Sequence, residues 1–242
     1  LPVHVYGHLC DVEELDRISK EYGIPVLYDA AHAFGERYHG RGVGSFGYAS
    51  MFSFHATKVF HSIEGGAVCI GEKNPELLHK LYALKNFGIM GQESVELVGC
   101  NGKMNEFSAS MGLCNLRHIG EYIKEREKRY RHYESLLKDV PGLIFPKEQE
   151  GVEKNYAYLP VRILGEGRRN QIFSLLEKEG IHPRKYFYPL ISDYDCYKGK
   201  FSGDGTPIAK KIAEEILTLP IYPDLDFSDI ERISVILQKE CS

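Results

Sequence analysis

Long apolar runs are missing from this chain: nothing in its 242 residues approaches the roughly 20 consecutive apolar residues of a membrane-spanning helix, so no membrane partner is expected. Blocks of one sign of charge are missing too. The formal net charge is -4, and the most basic stretch, KEREKRYRH at 124–132, interleaves acids with bases as a solvated helix face does. Nucleic acid is therefore not expected as a partner. The six cysteines, Cys10, Cys69, Cys100, Cys114, Cys196 and Cys241, form no C-x-x-C pair. That argues against a zinc site and a disulfide framework and points to a reducing cytoplasm. His4 and His8 have metal-like spacing only on a helix, whereas HVYGH reads as strand and turn, so no metal is assigned. There is no internal repeat and no low-complexity tract. Neither an initiator Met nor a signal-peptide pattern opens the chain; LPVHVYG enters directly on a strand, as the interior of a longer or processed protein would.

What is present is an ordinary globular composition, 43% hydrophobic and 26% charged, at a length that suits one large domain or two modest ones. LPVHVYG reads as a short strand. DVEELDRISKEYG follows with an Asp cap, apolar residues at helical spacing and a closing Gly23. Ile24 to Tyr28 is then a buried-type strand ending in Asp29. Strand, helix and strand over about 30 residues make a βαβ unit with parallel strands. A second strand, Tyr48 to Phe54, ends just before Lys58, and GGAVCIG returns as a hairpin-like strand. The periodic stretch from Asn105 to Val140 is too long for one globular helix and is expected to bend between two domains. NYAYLPVRIL is expected as a strand, RRNQIFSLLEKEG as a helix, IHPRKYFYPL as an extended aromatic segment, and AKKIAEEILTLPIYPDL and SDIERISVILQKE as two more helices. The boundaries follow: residues 1–119 as the larger domain and 120–242 as a smaller α/β domain.

Ligands in parallel sheets bind beyond the carboxyl ends of the strands, which is where Asp29 and Lys58 both fall. A lysine that attacks a carbonyl must spend time as a neutral amine, and an apolar pocket or a neighbouring cation provides for that. The aromatic strand before Lys58 and the flanking His55 and His61 offer such a setting. If the carbonyl is that of pyridoxal phosphate, the ring nitrogen needs a carboxylate to keep it protonated, for which Asp29 is placed by position. The phosphate needs hydroxyl or amide donors, and Ser53 and Thr57 can contribute them.

Together, PVHVYGHLCDVEELDRISKEYGIPVLYDAAHAFG, SFHATKVFHSIEGGAV, LKNFGIMGQE and GCNGKMNEFSASMGLCNL resemble the sugar aminotransferases of the DegT/DnrJ/EryC1/StrS family over essentially the whole chain. The resemblance implies the α/β fold of type I pyridoxal-phosphate transferases: a partial large domain with a mainly parallel sheet, then the smaller C-terminal domain. It implies Lys58 as the residue that bonds the cofactor and shuttles the proton, Asp29 on the pyridinium nitrogen, His32 against the ring or its hydroxyl, and Ser53 on the phosphate. Asn101 would reach the phosphate of a neighbouring subunit in a homodimer, and Tyr186 and Tyr188 would lie on the substrate side. The implied substrates are glutamate and a nucleotide-linked, dTDP-type keto-deoxysugar, with cell-envelope or O-antigen sugar synthesis as the setting. Lys58 stands where a dehydratase branch of the family carries histidine, which favours transamination over sugar dehydration. Relatives begin with a segment that supplies a Gly-Thr-type phosphate loop and an aromatic residue stacking on the ring. Neither is found here, which keeps a non-catalytic or truncated member as the alternative.

Overall fold

The computed structural model describes residues 1–71, 74–197, 199–200 and 205–241. It divides into two compact units, Leu1–Glu121 with Gln149–Asn155, and Tyr122–Glu148 with Tyr156–Ser242.

In the first unit, helix α1 (Val12–Tyr22) starts where the Asp11 side chain accepts the Glu14 backbone N–H and stops at Gly23, whose φ of 65° is the left-handed cap that glycine takes without penalty. Strand β1 (Leu27–Asp29) lies parallel to β4 (Ala49–Ser53), with Leu27 opposite Ala49 and Asp29 opposite Met51. The neighbouring β5 (Gly66–Ile70) runs antiparallel to β4, giving a mixed sheet in the order β1-β4-β5. The strand expected at LPVHVYG is reduced to a single parallel bridge from Val3 to Asp29. The chain turns there into a 3-10 turn at Val5–Gly7, with Tyr6 and Gly7 both left-handed, so it leaves the sheet after one residue.

Two short strands, β2 (Arg37–Tyr38) and β3 (Arg41–Gly42), form a hairpin. The first unit also contains helices α2 (Pro75–Lys85), capped by Asn74, and α3 (Glu106–Leu116), capped by Asn105. Helix α4 (Ile119–Leu137) follows after a break at Arg117 and His118, so the long periodic stretch is two helices rather than one. The core of this unit is small: Leu9, Ala30, Ala33, Val43 and Phe52.

The second unit holds β6 (Leu143–Ile144) and, after the excursion of β7 (Val152–Glu153) to pair with β2 in the first unit's second sheet, β8 (Leu159–Ile163), α5 (Arg168–Lys178), α6 (Pro207–Glu215), β9 (Ile216–Leu219) and α7 (Phe227–Cys241). Its antiparallel sheet runs β6-β8-β9. Leu159, Val161 and Ile163 alternate inward along β8, and Leu217, Ile230, Ile233 and Leu237 meet them, each contributing about 1.5–3 kcal/mol by burial. Strand β9 corrects the sequence reading, in which ILTL prolongs the preceding helix. All four of its residues are buried, and pairing with β8 outweighs the helical propensity of the segment. No described helix is long and apolar enough to cross a membrane.

Candidate active site

Two loops leave the carboxyl ends of β1 and β4. The first begins at Asp29, whose Oδ1 accepts the Ala31 backbone N–H at 3.0 Å, while the Ala30 N–H donates to the Met51 carbonyl at 2.8 Å. Ala30 and Ala33 are wholly buried, so a small side chain is required on either side of His32. The second loop, after Ser53, closes on itself: the Phe54 N–H donates to Gly65 at 2.8 Å, the Ser62 N–H to Phe54 at 2.9 Å and the Lys58 N–H to His55 at 2.9 Å. Three aromatic rings bind the loops together. Phe34 of the first stacks on Phe60 of the second at 4.3 Å between centroids and meets Phe54 edge-on at 5.5 Å. Lys58 lies between Phe54 and Phe60 in sequence, within the field of the Asp29 carboxylate.

The electrostatics show which groups share one site. Burial lowers the Lys58 ammonium below its ordinary pKa, and the Asp29 carboxylate opposes the shift. Neither His55 nor His61 adds a charge to this shift, which corrects the expectation of a neighbouring cation. His55 is instead bound to Thr57, Nδ1 to Oγ1 at 2.9 Å, and the His61 carbonyl accepts from Asn115 Nδ2 at 2.9 Å. His32 is lowered to about 4, first by burial and then by the charge of Lys58, again with Asp29 opposing. It is therefore neutral at pH 7. Its Nδ1 accepts the Tyr6 backbone N–H at 3.0 Å, so the ring proton resides on Nε2.

Asp29, His32 and Lys58 thus act on one another electrostatically. Ser53 sits at the end of β4, its Oγ accepting the His55 N–H at 3.4 Å. Asn101 is exposed, and its Oδ1 accepts from Lys103 Nζ at 2.8 Å. Tyr186 and Tyr188 belong to the second unit, where Arg184 lies 5.6 Å from the Tyr186 ring and Arg169 lies 4.4 Å from the Tyr188 ring. His4 is a core residue: fully buried, stacked on Tyr28 at 4.8 Å, with Nδ1 accepting the Cys10 N–H at 3.0 Å. A cavity of about 470 Å³ opens beside Pro25, Val26, Gly47 and Tyr48, at the opposite strand ends from Asp29 and Ser53.

A buried frame that sequence reasoning missed supports the first loop. The Glu36 carboxyl is 3% exposed; its Oε1 accepts the Asn155 backbone N–H at 3.3 Å, and its Oε2 has no hydrogen-bond partner among the described residues. It fits because Gly7 lacks a side chain: a Cβ there would come within 2.4 Å of Glu36 Oε1. Burial pushes this carboxyl up to about 8, against the Asn155 N–H and the charge of Lys154. A folded pKa above the unfolded 4.5 means that the unfolded chain releases this proton first. The associated stability is intact below about 4.5, is lost as pH rises toward about 8, and changes no further above that. Glu36→Gln, neutral at every pH, is therefore expected to be more stable than wild type at pH 7 by up to about 3 kcal/mol and to match it near pH 4. Chemical denaturation at both pH values measures this. A difference that does not change with pH would mean that the carboxyl is already ionised in the fold.

The donor set suits an aldehyde cofactor with an anionic tail. It offers an amine driven toward neutrality, a carboxylate in the same field, a neutral imidazole with its ring proton on Nε2, and a strand-end hydroxyl at Ser53. Comparison with known proteins gives matching results. The family model described as "DegT/DnrJ/EryC1/StrS aminotransferase family" matches residues 1–238. The chain is 38% identical over 247 residues to a dTDP-4-amino-4,6-dideoxy-D-glucose transaminase of Escherichia coli, covering 98% of this chain and 65% of that protein. A Shigella dysenteriae protein of the same name is 35% identical over 237 residues, covering 96% and 64%. The crystal structure of S. venezuelae DesV in complex with a ketimine intermediate superposes with a TM-score of 0.91 at 29% identity, covering 99% of this chain and 64% of that one. The chain therefore spans a little under two thirds of the length of these relatives.

Proposed function

This chain belongs to the DegT/DnrJ/EryC1/StrS aminotransferase family, and from that premise we propose that it carries the catalytic lysine of a pyridoxal-phosphate-dependent nucleotide-sugar aminotransferase. The proposed reaction moves an amino group from glutamate to a dTDP-linked keto-deoxysugar. The observation that carries the reading is the shared field of Lys58, Asp29 and His32, in which burial favours the neutral amine. The names of the Escherichia coli and Shigella dysenteriae relatives support the sugar and the nucleotide.

When bound, pyridoxal 5'-phosphate supplies an electron sink that acidifies the carbon bearing the transferred amino group. The residues of the chain do the rest. Lys58 Nζ would hold the cofactor and would move the proton at the glutamate α carbon. In the second half-reaction the same Nζ moves the proton at the sugar carbon that carried the ketone. Asp29 holds a proton on the ring nitrogen. His32, with its hydrogen on Nε2, donates to the ring oxygen, and Ser53 donates to the phosphate. Asn101 serves the phosphate of the second subunit of a homodimer, and Tyr186 and Tyr188 meet the sugar nucleotide. Helix α3 supports a second copy, because it is apolar on several sides and leaves Phe107 86% and Leu113 63% exposed in a single chain. A monomeric mass in sedimentation equilibrium would remove that element. Six unpaired thiols support residence in a reducing cytoplasm.

The experiment is to add pyridoxal 5'-phosphate to the full-length protein, reduce with borohydride and map the modified peptide. A label on Lys58 is expected. A label on another lysine, or none, removes the assignment.

A further inference from the structure

We propose that Asn155 is a positioning residue for His32, acting from a part of the sequence far from the other site residues. The proposal rests on the reading of His32 as a contact of the cofactor ring. Asn155 is fully buried, and its Nδ2 donates both of its hydrogens to the first site loop: to the His32 carbonyl at 2.7 Å and to the Phe34 carbonyl at 3.0 Å. These two carbonyls belong to His32 itself and to Phe34, the residue whose ring packs on the Lys58 loop. The backbone N–H of Asn155 separately engages Glu36 Oε1, at the far end of the same loop.

His32 is thereby held at two points that its own sequence neighbourhood does not supply. Asn155 fixes its backbone, and the Tyr6 N–H, presented by a left-handed residue at φ 61°, fixes its ring through Nδ1. With both in place the ring that carries Nε2–H is held at its other nitrogen and at its own backbone. Without the Asn155 amide, two carbonyls of this loop lose the donor seen here, and the loop is expected to move to recover one. The aim of Nε2 then changes, although no group that touches the cofactor has been altered. The neighbouring clamp has the same design: Gln149 donates from Nε2 to the Leu9 carbonyl at 2.8 Å and accepts the Leu9 N–H on Oε1 at 2.9 Å. Gln149 thus anchors the segment that follows the Tyr6 turn.

The test is a double-mutant cycle in the full-length protein, read as the affinity for pyridoxal 5'-phosphate and the position of its visible band. Asn155→Ala keeps the backbone N–H that Glu36 accepts and removes the side-chain amide. It is expected to weaken binding about tenfold or more and to shift the band. In a His32→Ala background the same substitution is expected to add nothing, because its effect passes through His32. In parallel, ¹⁵N NMR of the His32 ring should show the Nε2–H tautomer in wild type and a mixture in Asn155→Ala. Equal losses in both backgrounds, or an unchanged band and tautomer, would assign Asn155 a structural role only and overturn the proposal. If Asn155→Ala does not fold, Asn155→Ser, which retains a single donor, carries the same cycle. Borohydride labelling of Lys58 in wild type reports separately on the cofactor reading. A label at Lys58 with an additive cycle rejects the role of Asn155 alone, whereas no label rejects both.

Discussion

Lys58→Ala is expected to abolish turnover, by on the order of 10⁴-fold or more, while the protein remains folded. The first half of this expectation follows from the two roles assigned to one nitrogen, which bonds the cofactor and moves the proton in both half-reactions. The second half follows from the surroundings of the side chain. Lys58 is half-buried and has no ion pair among the described residues, and its ammonium is disfavoured there by burial. Removing it empties no core position, since the loop is held by Phe54, Phe60 and its own backbone bonds. Thermal unfolding of the variant should therefore stay within about 1 kcal/mol of wild type. Turnover near the wild-type rate would end the assignment, whereas a collapse in stability would mean that lost activity says nothing about chemistry.

Asp29→Asn is expected to retain the cofactor yet lose on the order of 10²–10³-fold in rate, the range found when one preorganised electrostatic partner is removed. An asparagine keeps the Oδ1 acceptor for the Ala31 N–H, so the loop geometry survives and the lesion is one of charge. The sign of a second effect follows from the same charge. Asp29 raises the pKa of both Lys58 and His32, so its neutralisation lets both fall further. The limb of the pH–rate profile that reports deprotonation of Lys58 should move to lower pH. A rate and a profile both unchanged would show that another group protonates the ring.

The sequence made some of this structure legible and concealed the rest for identifiable reasons. Asp29 and Lys58 could be found because each follows a strand of a parallel pair, and parallel topology places strand ends on one side. Helix α1 was readable because its cap residues, Asp11 and Gly23, are local signals. The break at Arg117 and His118 followed from length alone. Strand β9 was not readable, because ILTL fits either period and only its burial against β8 decides between them. The two-residue strands β2, β3 and β7 are too short to leave a pattern. Of the two causes the sequence offers for a lowered Lys58 pKa, the apolar pocket is the one at work, and the histidines beside it in sequence add no charge to the shift. Asn155 left no signal at all: an asparagine between Lys154 and Tyr156 announces nothing, and its partners lie 121 and 123 residues earlier.

That separation has a consequence for how the protein is made. The amide that fastens the Asp29–Glu36 loop belongs to a residue translated 123 positions after His32. At bacterial-to-eukaryotic synthesis rates this leaves a gap of roughly 6 to 25 s in which the loop exists without its clasp. The β1, β4 and β5 strands can pair during that interval, since all their residues precede position 71. The histidine cannot be fastened until the nascent chain has passed through α4 and returned, which makes the pocket one of the last parts of the first unit to close.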